Sequence, residues 1–162
     1  DGGFCLLREP LAGELGWVVA RHGELYSQEY GWGEKFEGLV AMVVAEFLAD
    51  RDPSREKCWI AERDGRRMGM VMLVAESESV ARLRLLLVEP RARGQGIGGI
   101  LLRQCVNFAG AIGYKSIVLW TQSVLTGARR LYEHAGFELV STEKHTLFGP
   151  ELEGETWQLK LK

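Results

Sequence analysis

Apolar residues recur at spacings of three and four over two long stretches near the N-terminus. Between Gly13 and Tyr30 the stripe is Leu15, Val18, Val19, His22, Leu25 and Tyr26. After Gly31-Trp32-Gly33 a second stripe follows, with Phe36, Leu39, Val40, Val43, Val44, Phe47 and Leu48 on one side, ending before Asp52-Pro53. Both predict amphipathic helices, and the glycines and the proline mark their ends. The rest of the chain switches to short β-prone runs: Phe4 to Arg8, Lys57 to Arg63, Met68 to Ala75 and Ala81 to Val88. The second and third meet across Asp64-Gly65, a hairpin turn signal, and the fourth is stopped by Glu89-Pro90. A third helical pattern, Ile97, Leu101, Leu102, Cys105 and Phe108, runs to about Gly113, which suits a C-terminal cap. Ser116 to Thr121 reads as a buried strand, Val124 to Ala135 as a helix closed by Gly136, and Phe137 to Thr146 and Thr156 to Leu161 as two alternating strands. The order β-α-α-β-β-β-α-β-α-β-β predicts an α/β domain, a mixed sheet flanked by helices.

At 162 residues the chain has room for one domain with a real core, so residues 1–162 are taken as a single domain. Charge is nearly balanced, 20 basic against 22 acidic residues, which argues against a nucleic-acid-binding surface. Cys5, Cys58 and Cys105 stand far apart with no CxxC pair; a reducing cytoplasm is the simple reading, and a metal site is not expected. No apolar run approaches the length needed to span a bilayer, so no membrane partner is expected.

The chemistry concentrates between Ala81 and Gly99. After the strand ending at Val88 come Arg91 and Arg93, and then Gly94, Gly96, Gly98 and Gly99 open a helix. The first N–H groups of a helix have no intrahelical partner, its dipole adds partial positive charge, and glycine lets an anion approach the main chain. Gly94-x-Gly96-x-x-Gly99 is also literally the dinucleotide fingerprint. That reading requires an acidic residue about 20 positions on to hold a ribose, and no Asp or Glu occurs between Ile100 and Tyr132. A nucleotide-dependent oxidoreductase is therefore disfavoured, and the absence of Gly-Lys-Ser/Thr excludes a P-loop. A glycine turn serving only packing is the plain alternative.

Arg93-Gly94-Gln95-Gly96-Ile97-Gly98 resembles the acyl-CoA pyrophosphate loop of the GNAT N-acetyltransferases, whose pattern is Gln/Arg-x-x-Gly-x-Gly/Ala. Val88-Glu89-Pro90 and Leu131-Tyr132-Glu133-His134-Ala135-Gly136-Phe137 look like the same family and stand in its order. The resemblance implies the GNAT fold, acetyl-CoA as co-substrate, and an amine acceptor, small molecule or peptide. It implies that the fourth and fifth strands splay, that the backbone of Leu87 and Val88 pairs with the pantetheine arm, and that an N–H near Val88 polarises the thioester carbonyl. It assigns the pyrophosphate to the N–H groups of Gly94, Gln95, Gly96, Ile97, Gly98 and Gly99, with the Arg93 side chain adding charge. It makes Tyr132 the acid that protonates the departing thiolate; on spacing alone, Tyr132 would simply pack its ring. The family's asparagine six residues before Leu131 is replaced by Leu125, and Ser123 reads as a helix cap.

The acceptor side is less defined. His22 to Glu34 interleaves three glutamates with Tyr26, Tyr30 and Trp32 and carries no Lys or Arg, which suits an ammonium group or a solvated helix end equally. Glu29, Tyr30 and Trp120 are the candidate acceptor residues, with Glu29 the candidate base or amine anchor. His22, His134 and His145 read as packing or surface residues, Glu89 as a strand terminator, and Arg129 and Arg130 either as contacts to the cofactor's 3′-phosphate or as a solvated face. A binding module that senses acyl-CoA without turnover is the alternative to an enzyme. Leu-Gly-Trp-Val-Val, Tyr-Gly-Trp and Thr-Trp-Gln-Leu are similar to the acetyltransferase half of bacterial MarR–GNAT fusion proteins. That likeness implies an N-terminal winged-helix domain in the full-length chain, and the family leaves room for a homodimer.

Overall fold

A computed structural model describes residues 4–162. Its elements are β1 (Leu6–Arg8), α1 (Glu14–Tyr30), α2 (Glu34–Asp50), β2 (Lys57–Arg63), β3 (Arg66–Ala75), β4 (Val80–Val88), a 3-10 turn (Pro90–Ala92), α3 (Ile97–Ala111), β5 (Ser116–Gln122), α4 (Thr126–His134), β6 (Glu138–His145) and β7 (Leu152–Lys160). The order is the one the hydrophobic pattern predicts. The largest boundary error is β7, which starts at Leu152 rather than Thr156: Glu153, Gly154 and Glu155 hide the strand signal, yet they pair with Lys144, Glu143 and Thr142 of β6. Ser123 does not cap α4. Leu125 stands at the N-cap with no side-chain bond, and the Ser123 N–H donates to the Glu153 carbonyl at 2.9 Å.

The strands form one seven-stranded sheet in the order β1-β2-β3-β4-β5-β7-β6, and every pairing is antiparallel except β4 with β5. On one face, Leu101, Leu102 and Cys105 of α3 and Tyr132 of α4 pack on side chains from β2 through β5 and on Trp157 of β7. On the other face, α1 and α2 bury Leu15, Val18, Leu25, Val40, Val43, Val44 and Phe47 against β2, β3 and β4 alone. Arginine–carboxylate pairs tie the helices to strand ends. Arg8 of β1 donates to both Glu14 oxygens of α1 (2.7 and 2.8 Å) and to Glu62 of β2 (2.8 Å). Arg21 of α1 holds both oxygens of Glu89, just past β4, at 2.7 Å, and Glu89 is only 2% exposed. Glu89 thus terminates β4, as its sequence context suggests, and also anchors α1 above it.

One irregularity in β4 shapes everything downstream. Met72 of β3 faces Leu85 while Leu73 faces Leu83, so Arg84 is an extra residue, a β-bulge. A bulge bends its strand and increases local twist. Here it coincides with the end of parallel pairing, which covers only Val80–Leu83 against Ser116–Leu119. It also inverts the faces. Ala81 and Leu83 belong to the α3 core, whereas Leu85 and Leu87 belong to the α1/α2 core.

Where β4 bends, β3 must come close. A Cβ at Gly69 would run into the Leu87 carbonyl oxygen and stand 3.3 Å from Leu101 Cδ1. Gly69→Ala is expected to destabilise the fold by about 1–3 kcal/mol in denaturant unfolding. Gly38, in the middle of α2 with open space where its Cβ would go, is the control: Gly38→Ala should stabilise by about 0.5–1 kcal/mol.

Candidate active site

Past the bulge, β4 has β3 on one side and no strand on the other. The Glu89 N–H donates to the Met68 carbonyl at 2.8 Å. Residues of an antiparallel strand alternate between bonding a given neighbour and facing away from it. The Leu87 backbone therefore belongs to the β3 ladder, and the N–H and C=O groups of Leu86 and Val88 face the gap beside β5. This corrects the expectation that Leu87 and Val88 both present backbone to the gap. The two edge residues are Leu86 and Val88.

Two cavities open on that gap. One, of about 490 Å³, is lined by Tyr30, Leu86, Leu87, Val88, Arg93, the glycines Gly94, Gly96, Gly98 and Gly99, and Leu131 among others. Gly94 and Gly96 sit at φ 77° and 78°, a left-handed conformation that side-chain-bearing residues rarely adopt. Gly98 lets α4 close in, since its Cβ would meet Leu131 Cδ1 at 2.7 Å. The first bond within α3 runs from the Ile100 N–H to the Gly96 carbonyl, which leaves the preceding N–H groups free, and its first turn contains no acidic residue. The result is a positive helix end facing a glycine-lined groove, suited to a diphosphate. Arg93 borders it, but its guanidinium is gripped by both Glu29 oxygens at 3.0 Å. The Gln95 side chain turns away, donating to the Arg91 carbonyl at 2.9 Å and accepting from Arg63, so only its backbone is near the loop.

The second cavity, of about 330 Å³, lies between α1, α2 and the diverging ends of β4 and β5. The two cavities share Tyr26, Leu86, Leu125 and Ala128, which form the neck between them. Tyr132 lines the second cavity, and its hydroxyl makes no hydrogen bond among the described residues. Burial, with lesser contributions from the Tyr26 phenol and the Cys105 thiol, pushes its pKa well up, so it is a protonated phenol at neutral pH. Tyr26, Trp32 and Phe36 stack around Phe148, with centroid separations of 4.8 to 5.1 Å among the closest pairs, and the Gly33 N–H donates to the Phe148 carbonyl at 3.0 Å. Trp120 lines the cavity, its indole N–H on Glu143 at 2.9 Å.

Glu29 and Tyr30 stand elsewhere. Glu29 lines neither cavity and is paired with Arg93, while Tyr30 lines the glycine groove. They lie in the last turn of α1, which points them at the loop before α3 and away from β5. Arg129 is partly exposed and already engaged: it donates to buried Glu155 at 2.9 Å, with its guanidinium against the Trp157 ring. Cys105 is fully buried with its thiol pKa raised, so it is no nucleophile. Sequence reasoning missed Phe148, Arg84 and Gln122 as cavity residues and set His22 aside as packing. The Phe-Gly turn before β7 was a usable signal for Phe148; nothing local marked the others.

The cleft between diverging parallel strands, with a glycine-rich helix N-terminus at one end, defines an acyl-carrier transferase architecture. The chain belongs to the acetyltransferase (GNAT) family, whose model matches residues 19–137. N-acetylaspartate synthetase from Xenopus tropicalis is 38% identical over 88 residues, covering 54% of this chain and 32% of that protein. N-acetyltransferase 8F1 from Rattus norvegicus is 32% identical over 137 residues, covering 79% of this chain and 62% of that protein. The chain thus spans about a third of the length of the N-acetylaspartate synthetases it matches. The structure of yncA from Salmonella typhimurium, solved with its cofactor acetyl-CoA, superposes with a TM-score of 0.76 over 98% of this chain and 95% of that one at 17% identity, which shows the shared fold. Among the described residues, no helix is long and apolar enough to cross a membrane.

His22 gives the cavity wall a pH signature. It is 2% exposed, stacks on Tyr26, and its Nδ1 lies 2.7 Å from the Val18 carbonyl. Burial lowers its pKa to about 4. The unfolded chain takes up a proton near the ordinary value of 6.5, which the native state refuses until about 4. Stability should therefore fall by about 3 kcal/mol as pH drops through that window. Thermal melts across it should show the slope, and His22→Asn should flatten it. Glu14, held at about 2 by Arg8, stays ionised in the native state throughout the window but protonates around 4.5 in the unfolded chain, so it adds a loss of stability of the same sign at the acidic end.

Proposed function

We propose that this chain transfers an acetyl group from acetyl-CoA to a primary amine by direct attack of the amine on the thioester. The observation that carries this reading is the neck. It joins an anion groove to a separate aromatic cavity, beside an unpaired strand edge and a protonated tyrosine. The residues fit the co-substrate: free N–H groups at Gly94 to Gly99 suit its diphosphate, and the open β4 edge suits an amide-bearing arm. Acetyl-CoA supplies an activated acyl group on a moderate leaving group. The Val88 N–H, fixed on a rigid strand and directed into the gap, would stabilise negative charge developing on the carbonyl oxygen. Tyr132, neutral at pH 7, would donate its proton to the departing thiolate. Apolar walls on both sides of the neck exclude water. No carboxylate lines the amine cavity and buried His22 takes no proton above about pH 4, so the proton lost by the amine leaves through solvent.

In this reading Arg93 turns from Glu29 to the diphosphate when the co-substrate binds, and Leu125 contributes apolar wall where other members of the family use asparagine. The likeness to MarR–GNAT fusions supports a winged-helix domain ahead of this segment in a cytoplasmic full-length protein, which the complete reading frame would test.

Thiol release from acetyl-CoA against a panel of amines is the decisive assay. Wild type should turn over at least one amine, and Tyr132→Phe should lose about 100-fold or more in kcat with coenzyme A affinity unchanged. Tight binding with no turnover on any amine would overturn the enzymatic reading in favour of an acyl-CoA sensor. Glu29→Gln releases Arg93 and removes a negative charge from the groove. Coenzyme A should then bind several-fold tighter at low salt, with the gain shrinking as salt is raised.

A further inference from the structure

The charged groups of the amine cavity do not match a simple cationic acceptor. Its lining includes two cationic side chains, Arg82 and Arg84, and no carboxylate. Arg82 is engaged, its Nε on Glu76 at 2.7 Å. Arg84 is half-buried and makes no hydrogen bond or ion pair with any described residue. It also borders a neighbouring recess lined by Glu46, Asp50, Glu56 and Glu76; it lies beyond ion-pair distance of all four, though after Arg82 its charge helps hold the Glu76 carboxyl below its ordinary pKa. A second donor in the wall lacks an acceptor. The Trp32 indole N–H is buried, with no hydrogen-bond partner among the described residues. Buried donors are ordinarily paired, and leaving them unpaired is costly. One buried indole N–H and one half-buried guanidinium, both without an acceptor beside the same cavity, point to a missing acceptor.

We propose that the acceptor is an amine that also carries a carboxylate, and that Arg84 recognises this carboxylate. The inference rests on the acetyltransferase reading above and deepens it. Arg84 is the bulged residue of β4, so the irregularity that opens the strands also puts an arginine in the cavity wall. Two residues, about 7 Å along a strand, separate it from Leu86 at the neck. A carboxylate held at Arg84 leaves the amine of a short acceptor directed toward the neck, where the Val88 edge and Tyr132 converge. Guanidinium binds carboxylate through a planar fork of donors, which fixes orientation as well as charge. Cationic acceptors without a carboxylate, polyamines among them, meet like charge at Arg84 and find no carboxylate in the cavity wall.

The test compares paired acceptors in the same thiol-release assay: alanine with ethylamine, phenylalanine with phenethylamine, and alanyl-alanine as a peptide arm. Wild type should favour the carboxylated member by about 10-fold or more in kcat/KM, mainly through KM. In Arg84→Met that ratio should collapse toward one, and Arg84→Lys should restore part of it. Activity on the dipeptide alone would assign the carboxylate to a peptide C-terminus; activity on the amino acids would assign it to free amino acids. A wild-type ratio of one or less, or a ratio unchanged in Arg84→Met, would overturn the proposal while leaving the acetyltransferase intact. Calorimetric titration of the same pairs, with coenzyme A present, separates the two readings. Binding of the carboxylated member that is lost in Arg84→Met, without turnover, supports the Arg84 site and overturns the enzyme. Equal or absent binding of both members, with no turnover, overturns the Arg84 site.

Discussion

A single extra residue in β4 governs the functional half of this molecule. Parallel strands that stay in register satisfy each other's backbone and leave nothing for a ligand. The bulge at Arg84 breaks that register after Leu83 and Leu119, so β4 goes on to Val88 and β5 to Gln122 without bonding each other. The unpaired edge of Leu86 and Val88 is the direct result, and so are the two cavities that meet beside it. The frame around this opening is held shut elsewhere. Arg21 fixes the end of β4 through Glu89, and Gly69 lets β3 press against it. An open edge inside a rigid sheet is preorganised, and preorganised dipoles stabilise developing charge without reorganisation at the moment of reaction.

The two sides of the gap have contrasting electrostatics. In the groove, free helix N–H groups and Arg93 make a positive end, and Glu29 pairs with the Arg93 guanidinium. In the amine cavity the walls are aromatic, His22 and Tyr132 are both neutral at pH 7 because burial penalises their charged forms, and the unpaired charge is Arg84. A cavity without a carboxylate does not hold ammonium by ion pairing.

The aromatic wall shows how far such a site is from any one segment. Tyr26 comes from α1, Trp32 from the bend after it, Phe36 from α2 and Phe148 from the turn before β7. The Gly33–Phe148 backbone bond joins them across more than a hundred residues of sequence. The ring cluster closes one end of the cavity, and its assembly depends on β7 returning beside β5, which brings the preceding turn over the α1–α2 bend.

Element type and order were readable in the sequence because helical and strand periodicities are local, and so was the anion loop, because Gly94 and Gly96 must adopt a conformation that only glycine takes without strain. Tyr132 was readable through the segment around it. What the sequence could not reveal was which side of each element faces what. Alternation along Ala81 to Val88 suggests one constant inward face, whereas the bulge reverses it midway, turning Leu85 and Leu87 toward α1 and α2 and leaving Leu86 and Val88 on the gap. Glu29 and Tyr30 sit in an acidic, aromatic stretch that reads as an amine pocket; a turn of helix carries them to the loop instead, and Arg84 and Phe148 arrive from β4 and from the turn before β7. Periodicity is set by neighbouring residues, so the sequence determined the elements. Strand register and the meeting of remote side chains are set by packing across the whole sheet, so only the tertiary structure decided the site.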